Sequence, residues 1–502
     1  MNGSLNFIYK QQKELSTLGG VAALLGWDQM TYMPKNGAIE RSEQNALISK
    51  LSHQRVISDE FWNHIEYLTK EETFEKLEAK DKAVVKRLKI DVEKARKVPT
   101  EFVEKMTKIT TIAYQKWEEA RNINDFKVFL PYFEKIVDLE KEYCSFFDIP
   151  GPLYNTLLDD YEEGMTVDKL KTDFEFLKKK LVELLGKIKS SSEYQSQSNQ
   201  IITLDKEVQK RLTDIVIEKM RIPKERARVD VSTHPFTTTM GDDDVRITTN
   251  FDKESALYSF FATVHEAGHA LYELNLPKNK FKDTVICDTP SLGLHESQSR
   301  FWENMIAKSK PFWKYFYPIF IKESEGKVYN LNIEDWYKLI NRVKLSLIRV
   351  EADELTYCLH VILRFELEVG LMEDKISVSE LPQLWNEKMD EMLGIVPTND
   401  VEGVLQDMHW AGGSIGYFPT YAIGSIYSTQ IYNELVENNP QVITQIENGN
   451  FSTIITWLDK KIHKYGRLYK ADEIVKKCCG EGLNSKVFVN YLKEKYLNLY
   501  EV

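Results

Sequence analysis

His265-Glu266-Ala267-Gly268-His269 carries chemistry in its spacing. Two histidines four apart lie on one face of a helix, one turn above each other. A single metal ion can take both imidazoles, and Glu266 beside them can act as base for the water that the metal activates. The bland alternative is a pair of core histidines that satisfy each other or a backbone carbonyl. The pattern points to a metal hydrolase, and such a site needs a third ligand.

A catalytic zinc takes three protein ligands and keeps one position open. Asn275 stands where a histidine would complete H-E-x-x-H-x-x-G-x-x-H, so that version is excluded. Glu273 shares the helical stripe of His265 and His269. It lies about 12 Å along the axis from His265, at about 1.5 Å per residue, too far for bonds near 2 Å. The next carboxylates are Asp283, Asp288, Glu296 and Glu303. Pro290 and Ser291 predict the start of a second helix, which places Glu296 early on it. Glu296 is the preferred third ligand, and Glu303, two turns further along, is the fallback.

The elements that must position these residues are mostly helices. Apolar residues recur at helical spacing over Phe102 to Arg121, Leu170 to Lys189, Lys206 to Met220, Glu254 to Leu274 and Trp336 to Val369. The stretch from Arg228 to Phe251 is rich in Thr and Val and is divided by a Gly-Asp turn. It predicts two short strands, a hairpin leading into the metal helix, with a strand edge where an extended peptide could dock. Ser190 to Gln200 is polar without an apolar face and reads as a mobile surface loop. A single mainly α domain over 1–502 is expected, with an N-terminal helical half to about residue 200 and a catalytic half beyond it.

Composition narrows the function classes. The 502 residues carry a formal charge of −11, which repels phosphate and argues against nucleic acid as a main partner. The five cysteines form no C-x-x-C, so a disulfide framework is not expected and a reducing cytoplasm is. Cys478-Cys479 reads as a helix end with two free thiols. No apolar run reaches the roughly 18 residues that span a bilayer, and the N-terminus lacks the pattern of a secretory signal.

Several further motifs stand along the chain. They are Leu25-Gly26-Trp27-Asp28-Gln29 with Met33-Pro34, His234-Pro235-Phe236, Asp244-Val245-Arg246-Ile247-Thr248 and His295-Glu296-Ser297-Gln298. Ile348-Arg349-Val350-Glu351-Ala352-Asp353, Gly403 to Trp410 and Gly416 to Tyr421 follow. In these motifs and their order the chain resembles the carboxypeptidase Taq family of metallocarboxypeptidases over nearly its whole length. The resemblance implies a largely helical fold with a deep groove, similar to the neurolysin-like oligopeptidases. It also implies a homodimer, one zinc ion per subunit with cobalt able to substitute, and release of single residues from peptide C-termini. Broad specificity with C-terminal Pro a poor substrate belongs to the same expectation, and the resemblance favours Glu296 as third ligand.

Roles then follow for the remaining residues. Glu266 is the general base. Tyr421, His409 and His234 are candidates to polarise the carbonyl, and His409 could equally orient a ligand or Glu266. Arg349 is the choice for reading a free C-terminal carboxylate, because a planar guanidinium matches it with two bonds. Its bland alternative is an ion pair with Glu351, Asp353 or another helix. Arg246 is a second carboxylate candidate, against simple pairing with Asp242, Asp243 or Asp244. Trp27, Asp28 and Gln29 read as groove wall, and the three-Asp turn as solvated. An endo-acting oligopeptidase on a similar fold is the alternative activity, and a non-enzymatic helical scaffold is the third class.

Overall fold

Helical spacing becomes helices wherever an apolar stripe finds a cap. Val167–Lys189 buries Leu170, Phe174, Leu177, Leu181, Leu184, Leu185 and Ile188, and the Thr166 hydroxyl accepts the Lys169 N–H at its start. The chain was described by a computed structural model covering residues 1–251, 255–328 and 331–502. The helices expected near 102–121 and 206–220 run over Thr100–Ile123 and Lys206–Lys219. Helix α1 (Asn2–Thr31) and α2 (Ala38–Ile57) form an antiparallel pair at the N-terminus. The expected metal helix is α3 (Ala256–Asn275), and Glu254, its expected first residue, lies outside the described residues. Ser291 caps α4 (Leu292–Arg300) by accepting the Leu294 N–H at 3.0 Å. A π-helical stretch, Phe301–Ala307, continues it.

The helix expected over Trp336 to Val369 is broken. Ile333–Ile340 ends it, and α5 begins only at Tyr357, running to Met372. Side chains capture the intervening backbone. Asp353 accepts from Lys344, Leu355 and Thr356 N–H groups, and Gln406 accepts from that of Arg349. Such bonds compete with helical ones. Arg349 therefore lies on a short 3-10 turn, Arg349–Glu351, and not on a long charged helix.

The Thr- and Val-rich segment makes three strands where two were expected. They are β1 (Ala227–Val231), β2 (Thr237–Gly241) and β3 (Asp244–Thr249). β2 and β3 form the expected antiparallel hairpin, and β1 pairs parallel to β3 on its other side. Edge strand β2 stands beside α3. The polar run at 190–200 is anchored as well: Ser191 caps a short helix, and Gln197 bonds Val343 O and the Tyr500 hydroxyl.

One core gathers buried apolar side chains from Ala113 to Tyr500, including α3, α4, α5 and α6 (Pro419–Asn438). A smaller cluster packs Ile8, Phe61, Ile65 and Leu88 against Phe281 and Ile286. All five cysteines are free, and Cys478-Cys479 ends a helix. Among the described residues, no helix is long and apolar enough to cross a membrane.

Candidate active site

Two glycines bring the elements of the site together. A Cβ on Gly268 would stand 2.7 Å from Gln298 O and 2.8 Å from Ser299 Cα, so only glycine lets α3 approach α4 this closely. On the other side, a Cβ on Gly424 of α6 would stand 2.6 Å from Glu296 Cγ. Helix α4 is thus held between two helix backbones, with Glu296 in the gap.

This placement sets Glu296 Oε2 at 3.6 Å from His265 Nε2 and 3.5 Å from His269 Nε2. Donors about 2.0–2.2 Å from one tetrahedral ion stand about 3.3–3.6 Å from each other. Both carboxylate–imidazole separations fit that requirement, and the three ligand atoms form a possible metal-holding group within 4.8 Å of one another. The charge around them favours a cation. Burial, with His295 beside it, lowers the His269 pKa to about 3, which keeps its lone pair free. Burial opposes a charge on His265, but Glu296 and Glu303 outweigh it and lift the ring to about 10, so this corner favours positive charge.

The surrounding groups orient the ligands. His265 Nδ1 bonds Glu303 Oε2 at 2.9 Å, which turns Nε2 toward Glu296. Glu303 is occupied there and with Lys308 at 2.7 Å, on the far side of the imidazole from the donor set. Glu273 bonds His295 Nε2 at 2.9 Å and Thr239 at 3.0 Å, away from the three donors. The His295 ring stacks on His269 with centroids 4.3 Å apart.

Glu266 is 7 % exposed, and burial raises its pKa, which suits a group that must accept a proton. Thr237 on β2 reaches it: the hydroxyl lies 2.8 Å from Oε2 and 2.9 Å from the Glu266 carbonyl.

A second constellation lies nearby. His409 Nε2 stands 3.3 Å from the Tyr421 hydroxyl. Burial keeps Tyr421 protonated and, with Arg349 and Arg364 close by, lowers His409 to about 4, so both are neutral near pH 7. Arg349 is buried, and its guanidinium carbon lies 4.7 Å from the Tyr421 ring centre. Its Nε and Nη2 donate to Asp407 Oδ1, and Nη1 donates to the Tyr357 hydroxyl. Arg364 donates to the other oxygen of Asp407. One carboxylate thus answers two guanidiniums.

The remaining expected residues are more peripheral. Arg246 gives both arms of its fork to Asp244 at 2.9 Å and lies 4.3 Å above the Trp27 ring. Asp242 and Asp243 pair with Lys282 and Arg226. His234 is exposed on the link between β1 and β2, where its carbonyl accepts the Ser232 hydroxyl.

The carboxypeptidase Taq (M32) metallopeptidase family model matches residues 7–496. The chain belongs to the M32 family. It is 39% identical to thermostable carboxypeptidase 1 of Pyrococcus furiosus over 501 residues, 99% of each chain. It is 36% identical to carboxypeptidase 1 of Bacillus subtilis over 488 residues, 97% of each. The crystal structure of an M32 carboxypeptidase from Deinococcus radiodurans R1 superposes with a TM-score of 0.95 at 33% identity, covering 100% of both chains. The chain is therefore a metallocarboxypeptidase, a peptide hydrolase.

Around the His265, His269 and Glu296 group, sequence reasoning passed over Thr237, Arg300 and Tyr357. Arg300 follows Glu296 by four residues and lies on its helical face, a signal that the spacing carries. Thr237 has no such signal, because its contact depends on how the hairpin folds back on α3. Tyr357 lies between Arg300 and Arg349, 4.1 Å and 6.0 Å from their guanidinium carbons.

Proposed function

We propose that the chain is a zinc carboxypeptidase that releases single amino acids from peptide C-termini with broad specificity and acts poorly on C-terminal Pro. The observation that carries this reading is the Glu266 carboxylate, buried and held by Thr237 beside the His265, His269 and Glu296 donor set. Zinc held by those three side chains supplies Lewis acidity, which makes water nucleophilic near neutral pH. Glu266 takes the proton from the attacking water and hands it to the leaving amine. Tyr421 and His409, both neutral donors, stabilise the charge that develops on the carbonyl oxygen. Edge strand β2 aligns the peptide backbone, and His234 and Arg246 border the groove.

Arg349 reads the terminal carboxylate. Its Nε and Nη2 donate to Asp407 and its Nη1 donates to the Tyr357 hydroxyl, which leaves one N–H on each of Nη1 and Nη2 for a peptide end. The excess positive charge of Arg349 and Arg364 over Asp407 supports the role, because a substrate carboxylate would neutralise it. The family likeness supports a homodimer and cobalt as a substitute metal. Five free cysteines suit a reducing, cytoplasmic setting.

The test compares one peptide with a free and an amidated C-terminus, assayed with wild type and Glu266→Gln. A carboxypeptidase loses the amidated substrate, and the variant loses both. Equal rates on the two peptides would instead indicate an oligopeptidase, and full activity in the variant would end the base assignment.

A further inference from the structure

The two oxygens of Glu296 face different neighbours. Oε2 points at the two histidine Nε2 atoms, 3.6 Å and 3.5 Å away, and lies 3.2 Å from the Ser299 hydroxyl. Oε1 accepts a bond from Arg300 Nε at 2.7 Å. Arg300 is itself fixed. Its guanidinium lies over the Tyr357 ring at 4.1 Å, and its Nη1 is 3.6 Å from Glu303 Oε2.

We propose that Arg300 is a positioning residue that makes Glu296 a one-oxygen ligand. The inference rests on His265, His269 and Glu296 holding the metal. A carboxylate beside a divalent ion can bind through one oxygen or both. Binding through both fills space that a catalytic centre keeps for water and the substrate carbonyl. Arg300 prevents this by tying Oε1 to a charge-assisted bond between largely buried side chains, where such bonds are strong. The helix makes the tie local: residues four apart share a face, so the arginine cannot drift from the ligand it restrains. Tyr357 holds the guanidinium plane from the other side.

Two variants separate the possibilities. Arg300→Met keeps much of the bulk and removes every donor. Arg300→Lys keeps the charge and loses the planar fork. Each is loaded with cobalt and with zinc. Cobalt absorption and zinc X-ray absorption then report coordination number, beside kcat, KM and metal affinity. In Arg300→Met the cobalt bands should weaken toward a five-coordinate pattern as the second oxygen binds. An added oxygen neighbour should appear at zinc, and kcat should fall about 10–100-fold with KM little changed. Arg300→Lys should lie between that variant and wild type, and it carries the same spectral test should the Met variant not fold. Wild-type spectra in both variants overturn the proposal, whatever the activity. Glu296→Ala distinguishes failure of the underlying metal assignment: if it holds cobalt with the wild-type spectrum, the three-residue site itself is wrong and the proposal goes with it.

Discussion

The Thr237 hydroxyl lies 2.8 Å from Glu266 Oε2, joining the edge strand to the carboxylate expected to move the proton. Thr237→Val keeps the shape and removes this bond. A lost bond to a charged group is worth about 1.5–3 kcal/mol, so kcat/KM should fall about 10–100-fold. Steady-state kinetics alongside metal content check this. A fall with full metal occupancy places the effect on Glu266, whereas unchanged kinetics removes Thr237 from the mechanism.

Glu303 fixes the ring of His265 from behind. Glu303→Gln leaves a weaker acceptor at the same place, and metal affinity should fall about 10–100-fold. Competition with a chelator measures it. An unaltered dissociation constant would mean that packing alone holds the imidazole.

Gly424→Ala pushes a methyl group toward Glu296 Cγ. Overpacking of this kind costs about 1–3 kcal/mol, and here it should displace the third ligand. The variant should bind metal more weakly and melt lower than wild type when both are metal-free. Normal values of both would show that α6 can move away freely.

Glu140 gives a pH signature. It is 6 % exposed, and burial, with Asp160 and Glu368 beside it, raises its pKa to about 8. The neutral form is therefore favoured on folding. Stability from this group is complete below its ordinary value of 4.5 and is lost as pH rises through about 8. Glu140→Gln should match wild type near pH 4 and exceed it by about 1–3 kcal/mol at pH 9. Denaturant melts at the two pH values check this, and an equal difference at both would remove the ionisation as cause.

Arg349→Lys keeps a charge beside Asp407 and loses the second bonding edge. Peptides with a free C-terminus should lose about 2–4 kcal/mol of transition-state binding, while the slow background on amidated peptides stays. A specificity ratio measured on the paired peptides reads this. A ratio like that of wild type would assign the carboxylate to another residue.

The helix that carries the two histidines and the place of Glu296 early on the next helix were legible because each depends on local rules: helical spacing, a serine cap and a proline before it. Arg300, the fourth residue after Glu296, carried a signal of the same local kind but was passed over. The break between residues 340 and 357 was not. Leu345 and Leu347 prolong an apolar pattern there, while Asp353 and the distant Gln406 capture the backbone N–H groups. Asp353, one of the alternative ionic partners considered for Arg349, caps the backbone instead, and Asp407 takes the guanidinium. Strand β1 was missed because parallel pairing joins segments that no turn connects. Thr237 was missed because only the folded hairpin brings it to Glu266.

The close fit of α4 against the backbone at Gly268, and of Glu296 against Gly424, has a mechanical consequence. Ligand spacing here is gauged by main chain against main chain at Gly268 and by main chain against the Glu296 side chain at Gly424, which leaves little slack to absorb a disturbance. Heating that loosens helix packing should therefore open the donor triangle as a unit, without a gradual softening of one ligand at a time. Release of the ion and loss of near-ultraviolet tertiary signal should share one transition temperature. An ion held there joins two helices, α3 and α4, and its hold on the chain reports the integrity of their packing.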